Sequence, residues 1–552
     1  MSLLSSRVGE KRMNLLTDPL FRVVTPDGQT TMSLPALLAA LGRDKVESLP
    51  GLKRHQEDAF LVFLSQLGAG ILARTGESKP AHDEKFWRDS IREVTGRKDD
   101  LAWTLVVEDV SKPAFMQAPL ASGITLEEKA TTPDELDILV TAKNHDLKMT
   151  RISPSNLEDW VYSLISLQTT TCYLGSGNYG VVRMKGQQDA RPVVEFRSSD
   201  RLGKLWIRNV NVLIGMRHSL LAPPWKFKER GIFFVWLEKW DFKTPISLEK
   251  LDPFFIEIAR AYRLIGNNGS ILAKGTTTKG ARIDALNPTL KDKRFRYMGD
   301  PWIPIDRQDG CALKVSESGF TPEFVCEILG VRRDKDGGEI YKRPEMMSSI
   351  GLESGPAWLY ASSLARIKQA KTRGFHSIRI RIPSPLKKSL FGSAKDRDGI
   401  AAISDAGLHN AEAMWGKVLR PALLTFLKGG PTPKENTNKK GAQKKSGGKA
   451  KDTLSDWLKE AEQRFKLEWG SEDKFYDWLW NSVAEEKDAA IKRWAETLKE
   501  IAENIFENSI KRLPSRTGRQ MRSVVRAESV FKGSLYNNFP MLRKETTDAG
   551  NP

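Results

Sequence analysis

Bulky and β-branched residues run from Phe21 to Val24 and stop at Thr25-Pro26-Asp27-Gly28, where proline presets φ and glycine tolerates positive φ, so the pattern predicts an opening hairpin. Leu34, Leu37, Leu38 and Leu41 then recur on one helical face, and a second helix is expected from Asp58 to Leu72; both read as core packing. Phe254 to Ile265 is strand-like, ends at Asn267-Asn268-Gly269 and is answered by Ser270 to Lys274, which predicts an exposed basic hairpin. From Ser377 to Ile382, isoleucines alternate strictly with polar residues, two of them arginines, as on a strand with one apolar face.

Beyond about Ile400 the period becomes helical. Leu454, Trp457, Leu458, Ala461 and Phe465 form one stripe, and Ile491, Trp494, Leu498, Ile501 and Ile505 another. With segments near Leu408–Leu427 and Phe475–Val483 these compose a four-helix bundle, and Pro421 is expected to kink its first helix. The fold class is therefore α+β: a large mixed α/β domain over residues 1–400, then a C-terminal helical bundle over 401–552. Lys428 to Lys451 interrupts the bundle with eight lysines and one glutamate, too polar to bury a core. Two readings stand for it, a phosphate-contacting tether and a solvated linker.

Composition sharpens this. The 87 Lys and Arg against 69 Asp and Glu leave a net charge of +18, which favours polyanionic partners, nucleic acid first. Cys172, Cys311 and Cys326 include no CxxC pair, so neither a disulfide framework nor a four-ligand zinc site is expected, and no metal or other cofactor. No apolar run suits a signal peptide or a membrane span, so a cytoplasmic protein is expected.

The most suggestive local feature is the glycine loop Gly175-Ser-Gly177-Asn178-Tyr-Gly180, followed by Arg183, Lys185 and Gly186. Glycines let a backbone approach another molecule while cations flank the contact. The letters also match GxGxxG, but a dinucleotide fold needs a strand before the motif and a helix after it. Here the order is reversed: Ser155 and Glu158 read as a capping box, and Trp160, Val161, Leu164, Ile165 and Leu167 continue a helical face before the loop. Asp200 stands where a ribose carboxylate would, with the wrong flanks around it. A kinase is less favoured still, because no HRD or DFG follows to supply the base and magnesium aspartates. A plain glycine turn between helix and strand stays open.

At this loop the chain resembles the CasA family, the large subunit of type I-E CRISPR Cascade complexes, and other segments agree in order along nearly the whole chain. Met13-Asn-Leu-Leu-Thr-Asp-Pro-Leu-Phe21 is similar to the family's opening and makes Met13 a candidate start, with residues 1–12 an extension. Phe115-Met116-Gln117 is similar to an element that precedes a flexible N-terminal loop. Leu251-Asp-Pro-Phe-Phe and Gly299-Asp-Pro-Trp302-Ile-Pro304 fall where similar stretches would, and Arg366 to His376 resembles the family's wedge hairpin. The resemblance implies a subunit that inspects duplex DNA for a protospacer-adjacent motif from the minor groove, starts strand separation and helps recruit a helicase-nuclease. Its partners would be CRISPR guide RNA, the other Cascade subunits, target double-stranded DNA and that nuclease, with no membrane. Gly175, Gly177, Asn178, Gly180, Arg183 and Lys185 would contact DNA through the glycine loop, and Lys274 and Lys279 from the basic hairpin. Gln369 would be the wedge, within Lys368, Ala370, Lys371 and Arg373, and Phe115, Met116 and Gln117 would make the N-terminal loop contact. Two departures stand out: the cysteine-paired zinc element of some relatives is missing, and the lysine-rich stretch interrupts the bundle.

Catalysis is not expected. The six histidines are scattered and form no HExxH, and His409-Asn410 completes no metal-nuclease motif. The alternatives are a metal-dependent nuclease using Asp396, Asp398 and Asp405, and a structural RNA-binding scaffold. For the lysine-rich stretch, salt dependence separates the two readings, because each neutralised phosphate adds about 0.9 to the slope of log affinity against log salt on duplex DNA. Neutralising the lysines of 428–451 flattens that slope if the stretch grips DNA, and an unchanged slope makes it a linker.

Overall fold

The structure is a computed structural model, and it describes residues 13–137, 156–170, 190–223, 225, 227–267, 270–278, 280, 282–284, 299–352, 354–367, 371–428, 448–512 and 518–543. The chain divides into two compact units, Met1–Phe320 with Tyr341–Lys387, and Thr321–Ile340 with Lys388–Pro552. Where the sequence suggests a line at residue 400, the helical unit thus begins at Lys388 and also takes in an earlier excursion of the chain.

The first unit opens with strands β1 (Phe21–Thr25) and β2 (Gly28–Met32), paired so that Thr25 faces Gly28 across Pro26-Asp27. Gly28 adopts φ +117°, the freedom this tight turn requires. Helix α1 (Leu34–Gly42) follows, capped by Ser33 accepting from the Ala36 N–H at 3.3 Å, and it buries the four leucines of its predicted face. Helix α2 (Arg54–Thr75) buries every residue from Asp58 to Leu72, so it has no solvent face and every polar group on it needs an internal partner. Around it pack α3 (Glu84–Thr95), α4 (Leu157–Thr169) and α5 (Leu202–Leu221). Gly68 admits Trp206 of α5, since a Cβ there would lie 2.6 Å from its ring, and the Trp206 indole N–H donates to Leu64 O at 2.9 Å.

The apolar face predicted for α4 is buried at Trp160, Val161, Leu164, Ile165 and Leu167. Its cap differs from the expected Ser155–Glu158 box. Asn156 is the capping residue, its backbone N–H donating to Asp159 Oδ2 at 2.7 Å. Glu158 instead turns inward to pair with Arg22 of β1 and accept from Tyr162 Oη at 3.2 Å, because a buried carboxylate is held by a cation and donors rather than by a helix end.

Further strands are β3 (Glu127–Ala130), β4 (Val193–Arg197), β5 (Ile232–Phe234), β6 (Leu251–Ile256), β7 (Tyr262–Asn267), β8 (Ser270–Gly275), β9 (Ala357–Ile367) and β10 (Lys371–Ile382). They form an antiparallel sheet β3-β8-β7, an antiparallel sheet β10-β9-β4 and a parallel β5–β6 pair. The stretch Phe254–Ile265 is not one strand. It breaks between Ile256 and Tyr262, where the side chain of Gln168 takes the backbone groups of Ala259 and Arg260 in place of a neighbouring strand. Nor is the β7–β8 hairpin exposed along its length: Arg263, Leu264, Leu272 and Ala273 are buried, while Gly266, Asn267 and Ser270 near its end are exposed. The alternation of Ser377–Ile382 is as predicted, with Ile380 and Ile382 buried and Arg379 and Arg381 exposed.

In the second unit, α6 (Asp398–Ala413) runs through a π-helical stretch, Met414–Leu419, into α7 (Arg420–Leu427). The wider turn falls immediately before Pro421, which brings no N–H and would crowd the preceding turn, so the helix absorbs the expected kink and continues. The unit also holds α8 (Gly448–Trp469), the short α9 (Asp477–Ser482), α10 (Lys487–Arg512) and α11 (Gly518–Asn538), besides shorter helices such as Pro322–Ile328. The fourth long helix is thus α11 rather than the segment Phe475–Val483. Its buried positions Ser523, Ala527, Phe531 and Leu535 include two small residues, which weakens the apolar signal. Among the described residues no helix is long and apolar enough to cross a membrane.

The centre of this unit is Trp494, fully buried, stacked on Trp478 at 4.8 Å between centroids and donating its indole N–H to Gly407 O at 2.9 Å. Trp494→Ala is expected to cost about 3–5 kcal/mol, measured as a lowered denaturation midpoint of the helical circular-dichroism signal of the full chain.

Candidate nucleic-acid interface

The sheet β10-β9-β4 carries two of the segments singled out in the sequence. Strands β9 and β10 pair from Ala357↔Ile382 to Ile367↔Lys371 and so bracket residues 368–370. Register jumps between Ala365↔Gly374 and Arg366↔Thr372, which makes Arg373 the extra residue of a bulge that re-aims the end of the hairpin. Lys371 and Arg373 lie on the backbone of β10; Lys368, Gln369 and Ala370 lie outside the described residues.

Strand β4 pairs with β9 from Val193↔Ser362 to Arg197↔Trp358. It is the first described strand after the glycine-rich segment, whose Gly175, Gly177, Asn178, Gly180, Arg183 and Lys185 also lie outside the described residues. Both ends of that loop are placed. It leaves α4 at Thr170 and returns at Arg191, whose backbone N–H donates to Thr170 O at 3.0 Å. Among the described residues the helix α4 precedes this segment and the strand β4 follows it, the reverse of a dinucleotide-binding unit. Asp200, the would-be ribose carboxylate, pairs with Arg379 at 2.6 Å.

Beneath the sheet runs a buried polar network. Asp58 Oδ2 accepts from Tyr360 Oη at 2.7 Å and Ser362 Oγ at 2.5 Å, and its Oδ1 from Arg197 Nη2 at 2.9 Å. Arg197 Nε donates to Glu195 Oε1 at 2.6 Å, and Glu195 Oε2 accepts from Asn209 Nδ2 at 3.1 Å and Trp302 Nε1 at 3.0 Å. Burial pulls the Arg197 pKa down, but Glu195 and Asp58 more than reverse this and hold the guanidinium charged; burial and then Asp58 push the Tyr360 hydroxyl up, keeping it a donor. Alongside, Arg191 pairs with Asp300 at 2.6 Å and lies 5.6 Å from the Trp302 ring. A cavity of about 20 Å3, room for one water, is lined by His55, Asp58, Thr170, Arg191, Ser362 and Phe375. The bases of the glycine loop and of the β9–β10 hairpin thus share one wall.

The third segment, Lys274, is half-buried on β8, opposite Arg263 on one side and Glu128 on the other; Lys279 lies outside the described residues. Phe115, Met116 and Gln117 are fully buried. They form an internal turn, with Met116 at φ +57°, in which the Gln117 amide donates to Leu105 O and Phe115 O and Met116 O accepts from Gln168.

The three aspartates of the nuclease alternative have other occupations. Asp396 accepts from the Ser393 N–H and Oγ, both at 2.7 Å, Asp398 pairs with Arg333 at 2.6 Å, and burial raises the Asp405 carboxyl against the opposing pull of Arg332. Asp405 and His409 line a cleft of about 770 Å3 with Trp415 and Phe465. Among the described residues no three His, Cys, Asp or Glu side chains are grouped to hold a metal ion.

No family model matches this chain, and no curated protein does. Solved structures do. Thermus thermophilus CasA is 14% identical over 96% of this chain and 100% of its own, with a TM-score of 0.59. The CRISPR-associated protein Cse1 of Acidimicrobium ferrooxidans is 14% identical over 96% and 98%, with a TM-score of 0.60. A chain of a CRISPR RNA-guided surveillance complex is 13% identical over 94% and 99%, with a TM-score of 0.55. This chain has the CasA fold.

Within the CasA fold of this chain, sequence reasoning found the segments but missed what fixes them. Asp58, Arg197, Glu195, Asn209, Trp302 and Tyr360 are scattered from α2 to β9 and share no local pattern. One signal was present: Asp58 stands at the head of the apolar run Ala59 to Leu64, where a helix that buries that run also buries the carboxylate and demands partners for it. Asp58→Ala removes three bonds and leaves Arg197 with one carboxylate fewer, so a loss of about 3–5 kcal/mol is expected. Equilibrium denaturation measures it, and hydrogen exchange at the β9 amides should speed up in the same variant.

Proposed function

We propose that this chain is the large subunit of an RNA-guided CRISPR Cascade complex of type I-E, and that it reads a protospacer-adjacent motif in duplex DNA and begins its unwinding. The observation that carries the reading is the extent of the likeness: it takes in 96% of this chain and 98–100% of the isolated CasA and Cse1 chains, so the whole architecture is shared rather than one common domain. A similar chain within a surveillance complex supports guide RNA and other Cascade subunits as partners. The net charge of +18 suits a subunit that holds nucleic acid.

On this reading the first unit inspects DNA and the second supplies the helical bundle, the helicase-nuclease that cuts is recruited, and this chain performs no chemistry. The minor groove is about 6 Å wide and offers few distinguishing groups, so glycines at 175, 177 and 180 allow backbone to reach base edges, with Lys274 and Lys279 supplying charge. Gln369, at the end of the bulged hairpin, stands in for the hydrogen bonds of separated bases, and Lys368, Lys371 and Arg373 hold phosphates. Unstacking one step costs roughly a few kcal/mol, which these contacts and guide pairing offset.

The test is binding of short duplexes, randomised beside a guide-matched site, to the guide-loaded complex with and without this chain. Enrichment of a short motif only when the chain is present supports the reading. Binding set by charge alone would leave a structural RNA-binding scaffold. Gln369→Ala is then expected to weaken target unwinding, followed by permanganate reactivity of unpaired thymines, more than it weakens nonspecific binding; equal loss in both, or none in either, counts against the wedge.

A further inference from the structure

A cavity of about 330 Å3 lies within the first unit, between the first turns of α2, the start of α5 and the sheet β10-β9-β4. Much of its lining is apolar: Leu49, Phe60, Leu61 and Leu205 are buried, and Leu52 and Leu202 half-buried. Asp58, Arg197 and Tyr360 also line it, already satisfied by one another. Two exposed arginines complete it. Arg379 lies 4.2 Å from the Trp358 ring and donates from Nη1 to Asp200 at 2.6 Å. Arg54 lies 5.7 Å from the Tyr360 ring, pairs with Glu57 and donates from Nη2 to Tyr360 Oη at 3.4 Å.

Each of these guanidinium groups is held by a ring and a carboxylate and still keeps donors in hand. Among the described residues Nε of Arg54, and both Nε and Nη2 of Arg379, meet no acceptor. A planar fork fixed in this way suits phosphate oxygens, and leucine walls suit a flat apolar face. A phosphate alone has no use for the leucines, and an aliphatic side chain none for the arginines. A nucleotide has both parts. The volume lies at the small end of ligand cavities, room for one base and not for a stacked pair, and a base still paired in a duplex cannot enter. Of the carboxylates in the lining, Glu57, Asp58 and Asp200 are each paired with an arginine, and Glu47 stands exposed.

We propose that this cavity takes a single unpaired nucleotide of a separated DNA strand, its base against Leu52 and Leu202 and its phosphates on Arg54 and Arg379. The source of that nucleotide rests on the functional reading above. Tyr360 and Arg379 face each other in the β9–β10 register, about 24 Å of strand from the Ile367↔Lys371 pair. The cavity therefore stands on the hairpin that parts the duplex, a few nucleotides along it. A base held there is withheld from pairing again. DNA fits better than RNA, because a 2′-hydroxyl would lose its water against leucine.

The experiment uses the full chain and measures affinity, at several salt concentrations, for a short single-stranded DNA, the RNA of the same sequence and the corresponding DNA duplex. Leu52→Trp fills the cavity, Leu52→Phe fills it in part, and Arg54→Ala and Arg379→Ala each remove a phosphate contact. Lys459→Ala removes an exposed charge from α8 as the control, and the thermal midpoint of each variant is recorded. In Leu52→Trp the affinity for single-stranded DNA is expected to fall about tenfold, with the salt slope and the duplex affinity unchanged. Each arginine variant lowers the single-strand slope by about 0.7, and Lys459→Ala leaves it as it was. Should Leu52→Trp fail to fold, Leu52→Phe decides by the same ratio of single-strand to duplex affinity. Single-strand affinity kept in the Leu52 variants, or a slope lowered as much by Lys459→Ala, overturns the inference. RNA bound as tightly as DNA overturns it too, and hands the cavity to the guide. Motif selection by the wild-type guide-loaded complex tests the functional reading by itself: its absence beside intact capture of single strands overturns that reading and leaves the ligand of the cavity standing.

Discussion

A buried carboxylate cannot be left alone, and the placement of Asp58 on α2, a helix without a solvent face from Asp58 to Leu72, makes that constraint organise the first unit. Desolvating the charge is costly unless donors surround it. Those donors come from Tyr360 and Ser362 on β9 and Arg197 on β4, so satisfying one side chain fixes both strands against α2. The hairpin end and the return of the glycine loop are carried on those same two strands and inherit their position.

The same device recurs wherever irregular backbone must be held. Asp252 takes Arg217 through both oxygens, at 3.0 and 2.9 Å, and Arg74 at 3.1 Å, which fastens β6. Arg263 on β7 donates to Val107 O at 3.1 Å and Lys112 O at 2.9 Å, and burial pulls its pKa down to about 10, still leaving it charged at neutral pH. Segments that carry the family resemblance, Phe115-Met116-Gln117, Leu251-Asp252-Pro and Gly299-Asp300-Pro-Trp302, each supply a member of these buried networks. Their distinctive letters hold irregular backbone in place from within the first unit.

What could be read from the sequence follows from where the physics is local. The Pro26-Asp27 turn, the leucine face of α1, the apolar face of α4 and the alternation at Ser377–Ile382 depend on neighbours a few residues apart, and all stand as expected. The break at Glu257–Ala261 is illegible because it depends on an amide some 90 residues earlier. The α11 helix hides its inward face behind Ser523 and Ala527. The membership of Thr321–Ile340 in the helical unit is equally non-local: Arg333 meets Asp398, and Arg397 meets Glu339. Of the proposed interface, the sequence indicated the segments, while the network binding their bases together exists only once distant residues meet.

The choice of neutral amides at Gln117 and Gln168 has a further consequence. Counterions screen attraction between exposed lysines and phosphates, and protons titrate carboxylates, but an amide sealed from solvent responds to neither. The frame these amides hold between the end of α4, the Met116 turn and β7 therefore stays the same across changes of salt and pH that alter the pull of exposed charges.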